Sequence, residues 1–146
     1  INRKAVRGWG ETTAGYEMII HEGIEGVKRR IEETRKTLDI TEPGHYEKLV
    51  YLKALSLSAD GVIQLSKRYS AEAARLAELE ENPVRKAELQ TISEICDRVP
   101  EKPARTFREA IQAFYLYHIC IFMEQNAASY NPGRMDQYLY PYWHIP

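Results

Sequence analysis

The chain has 146 residues, and its 20 Lys and Arg nearly balance its 21 Asp and Glu, for a formal net charge of −1. That length suits one domain. With 28% charged residues and no one-sided charge run, the composition excludes a basic nucleic-acid binder and an acidic solvating tail.

Residues 1–13 hold Arg3, Lys4, Arg7, Trp9 and the glycines Gly8 and Gly10, and read as a loop. The opening stretch has no apolar core of the kind a signal peptide needs. From 14 to 38, Tyr16, Ile19, Ile20, Ile24, Val27, Ile31 and Leu38 recur on one stripe, which predicts an amphipathic helix. Glu25–Arg29 and Glu32–Lys36 support its other face as i,i+4 pairs. His21 has no partner at helical spacing and reads as a surface residue. Pro43 and Gly44 break the pattern.

A second, long helix is expected from His45 to about Glu80, with Leu49, Val50, Leu52, Leu55, Val62, Ile63, Leu65, Tyr69, Ala73 and Leu76 inward. Gly61, Ser56, Ser58, Ser66 and Ser70 lower its local propensity and permit close packing or a bend. Asn82 as N-cap and Pro83 in the first turn start a third helix over 83–98, with Leu89, Ile92, Ile95 and Val99 inward. Pro100 and Pro103 end it.

The fourth helix, 106–123, is the most apolar. Thr106 caps it, and Glu109 stands where a capping box needs a carboxylate. Ile111, Phe114, Tyr115, Leu116, Tyr117, Ile119, Ile121 and Phe122 crowd nearly every face, so a buried strut is expected. The run is too short and too interrupted for a membrane span of about 20 apolar residues. His118 on this helix reads as a hydrogen-bonded core histidine. Glu124 and Asn126 at its end need polar partners. Asn131-Pro132-Gly133 then makes a turn. Arg134, Asp136 and Gln137 follow, and Tyr138, Tyr140 and Tyr142 would share one side if the segment is extended. The chain is therefore expected to be all-α, about four helices and an irregular C-terminal segment, one helical region over 1–146. The two cysteines, Cys96 and Cys120, lack metal spacing, read as structural thiols, and suit a reducing, cytoplasmic setting.

Three pieces of sequence carry a resemblance. They are Glu94-Ile95-Cys96-Asp97-Arg98-Val99-Pro100, then Pro103 with Thr106-Phe107, Glu109-Ala110 and Gln112, then Pro132-Gly133-Arg134 with Asp136-Gln137-Tyr138 and Tyr140-Pro141. In this order and spacing the chain resembles the N-terminal part of a glycyl radical enzyme, pyruvate formate-lyase-like, and nearest the glycerol/diol dehydratase and lyase branch. The resemblance implies an α/β barrel with these helices outside it. It implies a protein glycyl radical, installed by an activating enzyme that uses S-adenosylmethionine and an iron–sulfur cluster. A cysteine thiyl radical then takes hydrogen from a small polar substrate such as a diol, glycerol, choline or a related amino alcohol or acid. A leaving group or C–C bond then departs. Neither the family's Gly-Cys loop nor its C-terminal radical glycine matches anything in these 146 residues. The resemblance thus implies a portion of a longer chain, inactive alone, with no catalytic residue and no metal ligand of its own. The lack of an initiator Met carries the same expectation.

What such a portion would supply is pocket wall. Arg134, Asp136, Ser129, Tyr130 and Gln137 are the candidate substrate-binding residues, with Glu11 at the position where many relatives carry His in Gly-His-Thr. Arg134 and Asp136 either line the pocket or pair with each other. The expected partners are the substrate, the remainder of the enzyme chain, the activating enzyme and a second copy in a homodimer, with no nucleic acid and no membrane. The alternative is a non-enzymatic helical module that binds a partner through helix 106–123.

Overall fold

The computed structural model describes residues 8–124 and 127–143; the side chains of residues 8–11 and 127–129, and the expectations for Arg3, Lys4, Arg7 and Asn126, lie outside that description. The elements run β1 (Gly8–Thr13), α1 (Tyr16–Lys36), α2 (His45–Leu79), α3 (Pro83–Arg98), α4 (Phe107–Glu124), β2 (Ala127–Asn131), the single turn α5 (Met135–Tyr138) and a 3₁₀ turn, Tyr140–Tyr142. The four expected helices are all present. No helix among the described residues is long and apolar enough to cross a membrane.

The expectations for both ends of the chain are corrected. Residues 8–13 are not a loop, because β1 pairs in parallel with β2. The tyrosines at 138, 140 and 142 are not extended, since they sit in successive tight turns.

α2 and α3 form an antiparallel hairpin across a three-residue link. Ser70 Oγ meets Ser93 Oγ at 3.2 Å, and Lys67 Nζ reaches Asp97 at 3.0 Å. At 1.5 Å per residue, the 35 residues of α2 extend about 52 Å. Its buried stripe is Ala59, Ile63, Ser66, Ser70, Ala73 and Ala77. These spacings of three and four put small side chains on one face, and small side chains let α3 approach closely. The larger residues expected inward, Val50, Leu55, Tyr69 and Leu76, are instead exposed. Asn82 caps α3 as expected, its side chain accepting from Val84 N and Arg85 N.

The main core joins Tyr16 and Ile20 of α1, Val99 and Ala104 between α3 and α4, Ala110 and Ala113 of α4, and Tyr138, Leu139 and Tyr142. α4 is only half a strut: Ala110, Ala113 and Leu116 are buried, while Tyr115 and Met123 are 56% and 64% exposed. Thr106 caps it through Glu109 N at 3.2 Å, but the Glu109 carboxylate accepts from Arg105 N, one residue before the cap, at 2.7 Å. Glu109 is 4% exposed and pairs with Arg105 at 2.6 Å and Arg98 at 3.5 Å.

α1 is not one regular helix. Gly23 takes φ 69°, ψ 173° and breaks it. Ile24 N and Glu25 N turn outward to donate to Pro100 O and Glu101 O, at 2.8 and 2.9 Å. The Ile20 carbonyl, which a regular helix would pair with Ile24 N, accepts from Ala104 N at 3.0 Å instead. The break thus stitches α1 to the loop between α3 and α4.

Candidate functional site

The polar C-terminal segment is held from three sides. β2 runs beside β1 with Glu11 opposite Ser129, Thr12 opposite Tyr130 and Thr13 opposite Asn131. The chain then turns at Gly133, with φ +70°, so tightly that a Cβ there would lie 2.8 Å from Thr13 Cγ2. Glycine alone takes that backbone region without penalty. Tyr138 closes the turn by donating its hydroxyl to Pro132 O at 2.7 Å. Burial raises that phenol to about 12.

α1 supplies the third hold. His21 Nε2 lies 2.9 Å from the Tyr138 carbonyl, and its ring packs 5.7 Å from that of Tyr142. The Tyr142 hydroxyl reaches the Ile20 carbonyl at 3.4 Å. His21 is therefore not the surface residue expected from sequence. Its partners lie 117 and 121 positions away, where no helical spacing could reveal them.

These holds distribute the six candidate residues. Glu11 and Ser129 are brought side by side by strand register. Arg134 and Gln137 line a recess of about 400 Å³ together with Thr13, Glu17 and Tyr138. Asp136 faces a different recess, about 230 Å³, among Phe107, Leu139, Tyr140 and Trp143. Arg134 and Asp136 also meet each other at 3.5 Å, both about 70% exposed, so the pairing alternative is realised as a solvated surface contact. Such a pair contributes about 0–1 kcal/mol and leaves both groups available. Tyr130 is buried, packs its edge on Phe122 at 5.1 Å, and lines a groove of about 770 Å³ between α2 and α4. Glu124 opens onto the same groove and is exposed, so it does not need the buried partner expected for it.

A polar contact at the base of the site escaped sequence reading. Tyr16, 1% exposed, bonds through its hydroxyl to His118 Nδ1 at 2.7 Å, and burial raises that phenol. His118 is thus the hydrogen-bonded histidine expected on α4, stacked on Phe114 at 5.6 Å. Cys96 is buried and Cys120 half-buried, and burial raises both thiols above their ordinary range. Neither has the electropositive setting of a reactive thiolate. Among the described residues no group of three His, Cys, Asp or Glu could hold a metal ion. The hydrogen-bonding and charged groups of this short turn open into separate recesses, Arg134 and Gln137 into one and Asp136 into another.

A family model described as pyruvate formate lyase-like matches residues 3–144. The isethionate sulfite-lyase of Oleidesulfovibrio alaskensis is 40% identical over 130 residues, 88% of this chain and 16% of that protein. A structure from Roseburia inulinivorans, described in terms of 1,2-propanediol dehydration, aligns with TM-score 0.88 and 35% identity, over 92% of this chain and 17% of that one. A glycyl radical enzyme from Archaeoglobus fulgidus aligns with TM-score 0.84 and 31% identity, over 92% of this chain and 17% of its own. The chain spans about one sixth of the length of the relatives it matches.

Proposed function

Because this chain belongs to the pyruvate formate lyase-like family, we propose that it is the N-terminal helical part of a glycyl radical lyase or dehydratase. Its polar C-terminal segment would form one wall of the substrate pocket. The observation that carries the reading is the parallel pairing of β1 with β2. Parallel strands occur almost only in larger sheets covered by helices, and two strands alone are marginal in water. This pair is the start of a barrel wall, and α1 to α4 are its outer layer.

In this reading the radical, carried elsewhere in the polypeptide, supplies hydrogen abstraction from the substrate. The residues of this chain bind and orient. Arg134 offers a planar fork for a carboxylate or another anionic oxygen group. Asp136 accepts from a substrate hydroxyl or faces a cationic group. Gln137, Ser129 and Tyr130 add hydrogen-bonding groups, and Glu11 offers a carboxylate at the position where the resemblance implies His in many relatives. Elimination from, or C–C cleavage of, a small hydroxylated or amino-bearing molecule is the reaction class. An activating enzyme using S-adenosylmethionine and an iron–sulfur cluster, a cytoplasmic location and a homodimer complete the proposal.

The test is Asp136→Ala in the full-length protein. Turnover should fall while the yield of glycyl radical stays at the wild-type level. Unchanged kinetics with the true substrate would remove Asp136 from the pocket.

The second reading, a helical module that binds a partner through 106–123, rests on the exposure of Tyr115, Phe122 and Met123. In the enzyme reading that same face is covered by the remainder of the chain, so the exposure favours the module only if the full-length protein carries no radical.

A further inference from the structure

The segment that carries Arg134, Asp136 and Gln137 has to be held by something other than itself. Its internal bonds, Tyr138 hydroxyl to Pro132 O at 2.7 Å and Tyr138 N to Arg134 O at 3.2 Å, shape the turn but do not place it. Placement comes from the pairing of β1 with β2 on one side and from α1 on the other. Gly23 interrupts the helix, Ile24 N leaves for Pro100 O, and the Ile20 carbonyl accepts from Ala104 N and the Tyr142 hydroxyl. One residue on, His21 reaches the Tyr138 carbonyl with Nε2 at 2.9 Å.

We propose that His21 is a positioning residue, fixing through its Nε2–H bond to the Tyr138 carbonyl where Arg134, Asp136 and Gln137 stand. The inference rests on the pocket-wall reading above. A carbonyl only accepts, so Nε2 must carry the proton. That proton is present in the neutral Nε2–H tautomer and in the imidazolium alike, so the hold does not depend on histidine charge. The ring adds a second contact against Tyr142. His21 bonds the Tyr138 carbonyl and packs on the Tyr142 ring, so it acts on Arg134, Asp136 and Gln137 through the backbone between Tyr138 and Arg134.

The experiment compares His21→Leu with His21→Gln in the full-length protein. Leu has no donor, whereas Gln carries an amide N–H₂ at similar reach. Hydrogen–deuterium exchange is read over 134–142, with α2 and α3 as internal control. Turnover is measured with isethionate, 1,2-propanediol and glycerol as probes. The Leu variant should exchange at least tenfold faster over 134–142 alone, with the Gln variant restored to within threefold of wild type. With any probe that is turned over, Leu should raise KM by more than it lowers kcat. Exchange unchanged in the Leu variant, raised throughout the protein, or not restored by Gln overturns the proposal. Glycyl radical content separates the two claims. A wild-type protein that cannot form the radical refutes the enzyme reading, while the exchange result still decides the clamp.

Discussion

Gly23→Ala is the sharpest perturbation the fold offers. An added Cβ would lie 2.5 Å from Glu101 O, 2.6 Å from Lys102 C and 2.9 Å from Lys102 Cα, all backbone atoms that no rotamer change can move aside. The φ of 69° with ψ of 173° is also a region almost confined to glycine, costing about 1–3 kcal/mol for another residue. Relieving the clash means pushing the 100–102 loop away and weakening Ile24 N to Pro100 O and Glu25 N to Glu101 O. Each such bond contributes about 1 kcal/mol net. The sum is about 3–5 kcal/mol. Gly61→Ala is the matched control, because nothing lies within 4 Å of its added Cβ. Mid-helix alanine there should gain up to about 1 kcal/mol. The assay is the denaturant midpoint of the unfolding transition that contains these helices, in the full-length protein. Gly23→Ala should lower it strongly and Gly61→Ala should hold or raise it. Equal effects of the two substitutions would refute the account of the α1 break.

Glu109 should control acid stability. Burial pushes its carboxyl up, but bonds from the Arg105 side chain and backbone, with the charges of Arg105 and Arg98, outweigh that and hold it below the ordinary value of 4.5. A depressed carboxylate contributes stability that is present above the unfolded value and lost as pH falls through the folded one. Unfolding midpoints should therefore drop below pH 4.5, and Glu109→Gln should flatten that acid limb. At neutral pH the same substitution should cost about 2 kcal/mol, low for a broken buried pair because Arg105 is largely solvated. An acid limb unchanged in the variant would contradict the assignment. Tyr138→Phe should remove one phenol that titrates at about 12, read by ultraviolet absorbance, and cost about 1 kcal/mol for the lost bond to Pro132 O. Retention of that late-titrating phenol would place the shift on another tyrosine.

What the sequence made legible was local. Asn82-Pro83 announced α3, Thr106 announced α4, and Pro132-Gly133 announced the turn, because caps and turns are written within three or four residues. What it concealed depended on distant partners. β1 carries no alternating pattern that separates it from a loop; it is a strand because β2, more than a hundred residues later, lies beside it. The α2 stripe was legible in part: Ile63 and Ala73, expected inward, and Ser66 and Ser70, expected to permit close packing, are buried, whereas Val50, Leu55, Tyr69 and Leu76, which dominate the apolar pattern, are exposed. Gly23 read as one more helical position, since its role appears only with the 100–102 loop against it. Five of the six candidate residues, all but Glu11, stand close together in the chain, Ser129 to Gln137. Their division into separate recesses, with Asp136 apart from Arg134 and Gln137, follows from the direction of one short helical turn.

The claim on which the rest depends is that this chain is the pocket-wall part of a radical enzyme. Electron paramagnetic resonance of the full-length protein, after anaerobic activation with an S-adenosylmethionine-dependent activating enzyme, tests it most directly. The account expects a carbon-centred glycyl radical signal that Asp136→Ala leaves at the wild-type yield. A full-length protein that is folded, correctly activated and silent would contradict it and leave the helical interaction module in its place.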